Sequence, residues 1–364
     1  MSTVATKTEV SVDRDELLNA LLSVGGYAAK SHHVDQYRWL RLTVTADSAM
    51  FSASNGDVAA SRYLSLSGPE MDILVPRRLI DVTKAMPSGA TLKLTFGDGK
   101  VSVYGGKGTT RFKLGLSSQE PLGIDTGTRL DWSDAIVLTQ RTLDAFAVAS
   151  QFCGYDPSRP MLQNVQLKDG MMMSTDTHRM FCAKVDGIDL DDLAIPGSVI
   201  GQLNNFGAAQ LMFNDSTVYG RNSDFFFRAR RIDGAFPDLS TMIQNVLDTD
   251  GSFNVGVDAD SLIDALNSVA VISSGPSQTI SMKLGEGQLA LDLTNQDGDA
   301  REEVSATDSR DLRVGFNLEQ LRSGLKLFSG KKLTMTFVNE LRPVVLSSPD
   351  ATDETRFMIA PVRI

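Results

Sequence analysis

The sequence predicts an α+β protein built from three similar domains, each with two helices and antiparallel sheets. Two patterns, each occurring three times in the same order, and the spacing between their copies carry that prediction. The first pattern is a short strand, a polar turn and an amphipathic helix. It reads VSVDRDELLNALLSV from Val10, IVLTQRTLDAFAVAS from Ile136 and VGVDADSLIDALNSV from Val255. Leu17, Leu143 and Leu262 take equivalent places, followed by Ala20, Phe146 and Ala265 one helical step on. Apolar residues recur at i, i+3 and i+4, so each helix buries one stripe. Asp13 and Asp258 stand just before two of the helices, where a carboxylate accepts from the open N–H groups of the first turn.

The second pattern reads VPRRLIDVTKAM from Val75, IPGSVIGQLNNF from Ile195 and FNLEQLRSGLKLF from Phe316. It predicts a second helix in each copy, with Pro76 and Pro196 where the first turn has no use for an N–H. Alternating apolar and polar residues broken by a polar turn follow: LKLTFGDGKVSVYGG, QLMFNDSTVYGR and LTMTFVNELRPVVLSS. Such runs predict antiparallel hairpins. Copies of either pattern recur at about 120 residues, far above the ~20–50 of solenoids and propeller blades, so each copy is a domain. The joints are expected in the turn-rich stretches SSQEPLGIDTGTRLDW and PDLSTMIQNVLDTDGS, giving domains 1–126, 127–250 and 251–364.

Composition limits the function. The 364 residues are 42% hydrophobic and 22% charged, the makeup of a globular protein with two or three domains. MSTVATKTEV lacks the apolar core of a secretory signal, and no run approaches the ~18 apolar residues that span a bilayer. A cytoplasmic protein with no membrane partner is expected. A net charge of −10 argues against a grip on nucleic acid over the whole surface, and permits cations gathered on one face. Cys153 and Cys182 fall outside any CxxC or Cys/His ligand spacing, so buried thiols are expected and not a disulfide or a zinc site.

Four segments carry a family resemblance: SRPMLQNVQL (Ser158 to Leu167), STDTHRMFCAKV (Ser174 to Val185), RRIDGAFPDL (Arg230 to Leu239) and FMIAPVRI (Phe357 to Ile364). In order and spacing they resemble the bacterial DNA polymerase III beta clamp family, and the likeness runs along nearly the whole chain. The first domain matches mainly in pattern. The resemblance implies a non-enzymatic processivity factor, a head-to-tail homodimer whose six DNA-clamp domains form a ring. Helices would line the central hole and sheets the outer wall, which hides most strand edges. The implied partners are duplex DNA, held topologically and without sequence readout, a replicative DNA polymerase, a clamp loader and other clamp-motif proteins. It implies no cofactor, metal or catalytic residue.

Three sets of residues follow from the resemblance. For the hole, the first repeat offers Arg14, Lys30, Arg77, Arg78 and Lys84, and the third offers Arg322, Lys326, Lys331 and Lys332. Such cations attract phosphates without reading bases, and each taken singly also reads as part of a solvated helix face. Arg322 and Lys326, at i and i+4, form the best pair, while IPGSVIGQLNNF brings no cation. For the ring joint, Phe112 and Leu114 of RFKLGL and Val271 and Ile272 of VAVISS match apolar interface positions, a place in the core being the alternative.

For the groove that takes a partner's linear peptide, the matched positions are Leu162, Thr175, His178, Arg179, Met180, Met358, Ala360, Pro361, Val362 and Arg363. Thr177 replaces the family's glycine, Gln244 stands where a proline is common, and Ala360 replaces a methionine. A pocket of altered shape and partner preference is expected, consistent with a clamp encoded by a virus or another mobile element.

Other groupings lead elsewhere. His178 beside Asp176 is one histidine in a strand, with no second ligand at metal spacing. His32 and His33, if extended, point to opposite faces and form no pair. Gly105, Gly106 and Gly108 in YGGKGTTRF read as a hairpin turn, since no helix pattern follows. Asp189, Asp191 and Asp192 read as a solvated loop. No GxSxG, HExxH or Walker sequence occurs. The competing reading, an enzyme or small-ligand protein on a triplicated scaffold, requires titratable groups converging in a pocket.

Overall fold

One order of elements occurs three times along the chain. A computed structural model describes residues 7–66, 68–105, 110–124, 130–185, 193–203, 209–232, 234–275, 277–307 and 310–364. The first round is β1 (Thr8–Asp13), α1 (Arg14–Gly25), β2 (Trp39–Val44), β3 (Ala49–Ser54), β4 (Val58–Leu64), β5 (Met71–Pro76), α2 (Leu79–Ala85), β6 (Thr91–Gly97), β7 (Lys100–Gly105) and β8 (Arg111–Gly115). The second is β9 (Ile136–Leu138), α3 (Gln140–Ser150), β10 (Asn164–Lys168), β11 (Met171–Thr175), β12 (Arg179–Lys184), β13 (Leu193–Pro196), α4 (Gly197–Leu203), β14 (Ala209–Phe213), β15 (Thr217–Arg221) and β16 (Phe225–Arg230). A helix without counterpart among the described residues, α5 (Leu239–Leu247), comes next. The third round is β17 (Phe253–Asp258), α6 (Ala259–Val269), β18 (Thr279–Gly285), β19 (Gln288–Asn295), β20 (Gly298–Ser305), β21 (Leu312–Asn317), α7 (Leu318–Leu325), β22 (Lys332–Phe337), β23 (Val344–Ser347) and β24 (Arg356–Ile359).

The rounds also agree in detail. Leu17, Leu143 and Leu262 are fully buried. Asp13 Oδ1 accepts from the N–H groups of Asp15 and Glu16, and Asp258 Oδ1 from that of Ser261. Thr139 caps the middle helix instead, accepting from the Thr142 N–H at 3.2 Å. A second tie joins the first helix to the turn after the second helix. Asp15 Oδ2 accepts from Ser88 Oγ and Gly89 N, and Asp260 Oδ1 accepts from Ser329 Oγ and Gly330 N. The corresponding residue of the middle round is Arg141.

The chain packs as two units, Met1–Leu143 with Val199–Ile232, and Asp144–Ser198 with Asp233–Ile364. Unit one holds the sheets β1-β6-β7-β8 and β5-β2-β3-β4-β16-β15-β14-β9. Unit two holds β20-β19-β18-β21 and β13-β10-β11-β12-β24-β23-β22-β17. One rule generates both large sheets: the fourth strand of a round (β4, β12) pairs antiparallel with the last strand of the next (β16, β24). The strands that would make another such junction, β8 and β20, both lie at sheet edges.

Each large sheet buries both faces. In β24, Phe357 packs with Phe152 at 5.3 Å between ring centroids, and Gly324 of α7 has no side chain where one would run into the Phe357 ring. Its neighbour Met358 points the other way and meets α5. In β16, Phe225 and Phe227 are buried on one face while Phe226, on the other, meets Trp132 edge-on at 6.3 Å.

These outer faces are covered by the connectors between rounds, one of which was misread from sequence. PDLSTMIQNVLDTDGS contains a helix, α5, capped by Asp238 accepting from the Thr241 N–H, with Leu239 and Ile243 fully buried. Its turn-like residues are caps, and the apolar stripe between them decides the structure. The other connector has neither helix nor strand among its described residues. It is held by a bidentate Arg41–Asp72 pair, by Arg41 donating to the Leu122 carbonyl, and by Trp132 under the Arg221 guanidinium at 4.2 Å.

Three more expectations need correction. Pro76 and Pro196 end β5 and β13 and do not open helices; both strands lie at sheet edges, where a missing N–H costs no ladder bond. His32 and His33 do pair, stacking at 4.2 Å, because their segment bends; the Val34 N–H donates to His32 Nδ1. His178 is in a turn and not a strand, for reasons given below. Gly106, Gly108, Asp189, Asp191 and Asp192 lie outside the described residues, and β7 leads antiparallel into β8.

Candidate functional site

Most of the expected groove residues converge on the turn between β11 and β12 and on the end of β24, all within unit two. Asp176 Oδ1 accepts from the N–H groups of His178 and Arg179 at 3.0 and 2.7 Å, which folds the chain back and leaves His178 exposed. Thr175 is buried: its hydroxyl donates to the Arg179 carbonyl and accepts from the Thr177 N–H. Thr177 has φ +80°, a left-handed backbone that burdens a β-branched residue. The matching turn of the first round has the same Asx bonds from Asn55, with Gly56 at φ +97°. The glycine that Thr177 replaces thus has a physical reason.

Arg179 is a positioning residue. Its guanidinium grips Asp176 Oδ2 through Nε and Nη2 at 2.8 and 2.7 Å, with both side chains 16% exposed, and Nη1 donates to Ser323 Oγ. It also lies over the Phe152 ring at 5.2 Å, so it is committed on every side. Met180 pairs with Met358 across β12 and β24. Both belong to an apolar cluster with Met173, Cys182, Val345 and, from α5, Leu239 and Ile243.

Of this cluster Met180 and Met358 are expected from the sequence, whereas Met173, Val345 and the α5 wall are not, although Leu239, Ile243, Val246 and Leu247 carry a helical stripe that signals them. Burial pushes the Cys182 thiol up, and burial with nearby Asp176 pushes Cys153 up to about 12. Both cysteines are free and buried, as the sequence leads one to expect.

The remaining expected groove positions lie on the chain's last residues, on Leu162 and on α5. The Ala360 N–H donates to the His178 carbonyl, and the Val362 N–H to the Gly315 carbonyl, seating the last residues against the sheets. A side chain on Gly315 would run into Val362 and Ile364. Leu162 and Pro361 are half-buried, and Arg363 is exposed. Gln244 of α5 donates to Asp248 and accepts from Arg356 at 3.3 Å, tying the helix to β24.

The expected cations differ in availability. Lys30, Arg78, Lys84, Lys326 and Lys332 are exposed, while Arg77 and Lys331 are half-buried. Arg14 is committed: Nε donates to the Thr83 carbonyl, Nη2 to that of Lys84, and Nη1 pairs with Asp15. Arg322 pairs with Glu319 at 3.5 Å. Lys326 falls just past α7, in a 3-10 turn, so the i, i+4 pair spans the helix end.

Phe112, Leu114, Val271 and Ile272 are not core residues. Phe112 and Leu114 are half-buried on β8, between exposed Arg111 and Lys113. Val271 is 82% exposed, in a 3-10 turn that packs beside β19 and β20, and Nδ2 of Asn295 at the end of β19 donates to the Ile272 carbonyl. Among the described residues, no three His, Cys, Asp or Glu side chains gather as metal ligands, and no helix is long and apolar enough to cross a membrane.

Comparison with known proteins agrees with this geometry. Residues 8–121 match the N-terminal domain of the DNA polymerase III beta subunit, and residues 244–363 its C-terminal domain. The chain is 24% identical to the beta sliding clamp of Pseudomonas putida, over 97% of this chain and 99% of that one. It is 21% identical to that of Streptococcus pneumoniae serotype 4, over 97% and 98%. The crystal structure of the Caulobacter crescentus clamp superposes with a TM-score of 0.74 at 20% identity, covering 99% of this chain and 100% of that one. The Bartonella birtlesii clamp, bound to griselimycin, gives 0.75 at 19%, with the same coverage.

Proposed function

We infer that this chain, which belongs to the DNA polymerase III beta subunit family, is a DNA sliding clamp, a processivity factor for DNA replication. The observation that carries the mechanism is the sheet-pairing rule. β4–β16 and β12–β24 are two instances, and β8 and β20 are the strands left to make a third. Pairing β8 of one copy with β20 of a second, twice over, closes a head-to-tail homodimeric ring. The edges suit each other: β8 presents Arg111 and Lys113, and β20 presents Asp299, Glu302 and Glu303 around Arg301. Phe112, Leu114, Val271 and Ile272 then become the apolar part of the joint.

In this reading the repeats are domains 1–126, 127–250 and 251–364, and their helices line the hole. Lys30, Arg77, Arg78, Lys84, Lys326, Lys331 and Lys332 face the phosphates, while Arg14 and Arg322 contribute field from their fixed places. Contacts of this kind are weak and independent of sequence, which suits sliding. The groove over Met180 and Met358 takes a linear peptide of the polymerase, the clamp loader or another partner, with Thr177, Gln244 and the small Ala360 altering its outline. No residue is assigned catalysis, and the protein works in the cytoplasm.

The test is loading onto nicked circular DNA by a matching clamp loader, followed by linearisation. The clamp stays on the closed circle and runs off the linear form; retention on both, or on neither, overturns the topological claim. Binding of a clamp-motif peptide weakens on Met180→Ala, and an unchanged affinity would remove Met180 from the groove.

A further inference from the structure

The groove has a counterpart in unit one, defined by matched backbone bonds. Ala29 N–H donates to the Tyr37 carbonyl at 2.8 Å, as Gly154 N–H does to that of Leu162 at 2.7 Å. The Arg230 N–H donates to the Asp57 carbonyl at 2.8 Å, as that of Ala360 does to His178 at 2.9 Å. Ala59 pairs with Arg228 across β4 and β16, as Met180 pairs with Met358 across β12 and β24. The apolar floor is therefore replaced residue by residue: Leu162 by Tyr37, Met180 by Ala59, Met358 by Arg228 and Ala360 by Arg230.

Several arginines of this acidic chain are matched to a carboxylate, among them Arg41 and Arg62 of the same sheet and Arg179 beside the groove turn. Arg228 and Arg230 form no ion pair with the described residues, and Asp57, cross-strand from Arg230, is beyond ion-pair distance. Asp35, near Tyr37 in sequence, is taken by Arg38 and by the Trp39 indole. Two cations two residues apart on one strand point the same way, about 7 Å apart along it. An extended peptide repeats its side chains at that same interval.

Bases would need free aromatic faces, and the two tyrosines here are already engaged, Tyr37 with His32 edge-on and Tyr219 stacked on Phe226. We propose that this margin of unit one, around Arg228 and Arg230, is a second docking site that takes an extended acidic peptide with carboxylates at alternate positions. The matched backbone bonds of the two margins hold whatever occupies the place in unit two, so this site stands apart from the peptide assignment made above.

The test uses the full chain and a fluorescein-labelled peptide of alternating glutamate and serine, followed by anisotropy. Wild type binds it with an affinity that falls as salt rises, and R228E/R230E weakens binding about tenfold or more. R228Q/R230Q, a milder change that serves if charge reversal disturbs folding, also weakens it. Both variants keep wild-type affinity for a clamp-motif peptide. No binding by wild type, or undiminished binding by R228Q/R230Q, overturns the proposal. So does oligo(dT) binding more tightly than the peptide through the same arginines, which makes the margin a nucleic-acid site. Failure of the clamp-motif peptide to bind wild type bears on the groove alone.

Discussion

The two large sheets are made by one pairing rule and finished by different means. Unit two covers its outer face with a helix, α5, whose leucine and isoleucine settle on methionines and leave an apolar margin. Unit one covers the equivalent face with an extended connector pinned by Arg41 and by Trp132, and leaves a margin with two arginines. Backbone bonds at the two margins agree to about the precision of a hydrogen bond, so the difference lies in side chains at a few register positions. A repeated backbone thus offers a repeated place, and the local residues decide what comes to it.

The largest effects should come from uncovering either sheet. Trp132→Ala costs about 3–5 kcal/mol and Ile243→Ala about 2–5 kcal/mol in urea unfolding. Only the second should also abolish clamp-motif peptide binding; if both do, the margins are not independent. Next is Asp176→Asn, which keeps the acceptor for the turn, as Asn55 does in unit one, and removes only the grip on Arg179. It costs about 2 kcal/mol, and no loss would mean that the Asx bonds alone hold the turn.

Thr177→Gly, copying Gly56, gains about 1 kcal/mol by relieving the left-handed backbone. A destabilised variant would show that the Thr177 side chain contributes more than its backbone costs.

The smallest effect is common to both units and concerns acid. The Arg14 guanidinium, ahead of Gly89 and Ser88, holds the Asp15 carboxyl below the usual range; the Ser261 hydroxyl and N–H do so for Asp258, and the Thr241 N–H for Asp238. A carboxyl lowered on folding stabilises above its unfolded value of about 3.9, and that contribution is lost as pH falls through the folded value. Melting temperature should therefore hold steady from neutral pH and drop below about pH 4. Asp258→Asn, which cannot titrate, should drop less, and an equal fall would absolve the caps.

Much of the fold was legible because helical stripes, caps and hairpin turns are local. Leu17, Leu143 and Leu262 marked the core, and Asp13 and Asp258 cap as expected. The joins between rounds were not legible, since pairing of β4 with β16 depends on partners far apart in the chain. For the proposed groove, resemblance pointed to the turn and the end of β24 but gave no sign that Arg179 is enclosed by Asp176, Ser323 and Phe152. The α5 wall was hidden by its own caps, which read as turns. His32 and His33 were misjudged because alternation holds only for an extended segment.

The shared sheets also fix a schedule for synthesis. On a ribosome, β4 emerges about 160 residues before its partner β16, and at ~5–20 residues per second it waits roughly ten seconds or more. The same delay recurs between β12 and β24. Through each interval a nascent chain carries an open strand edge, so the protein's yield in a cell should depend on whatever shields that edge until translation delivers the strand that completes it.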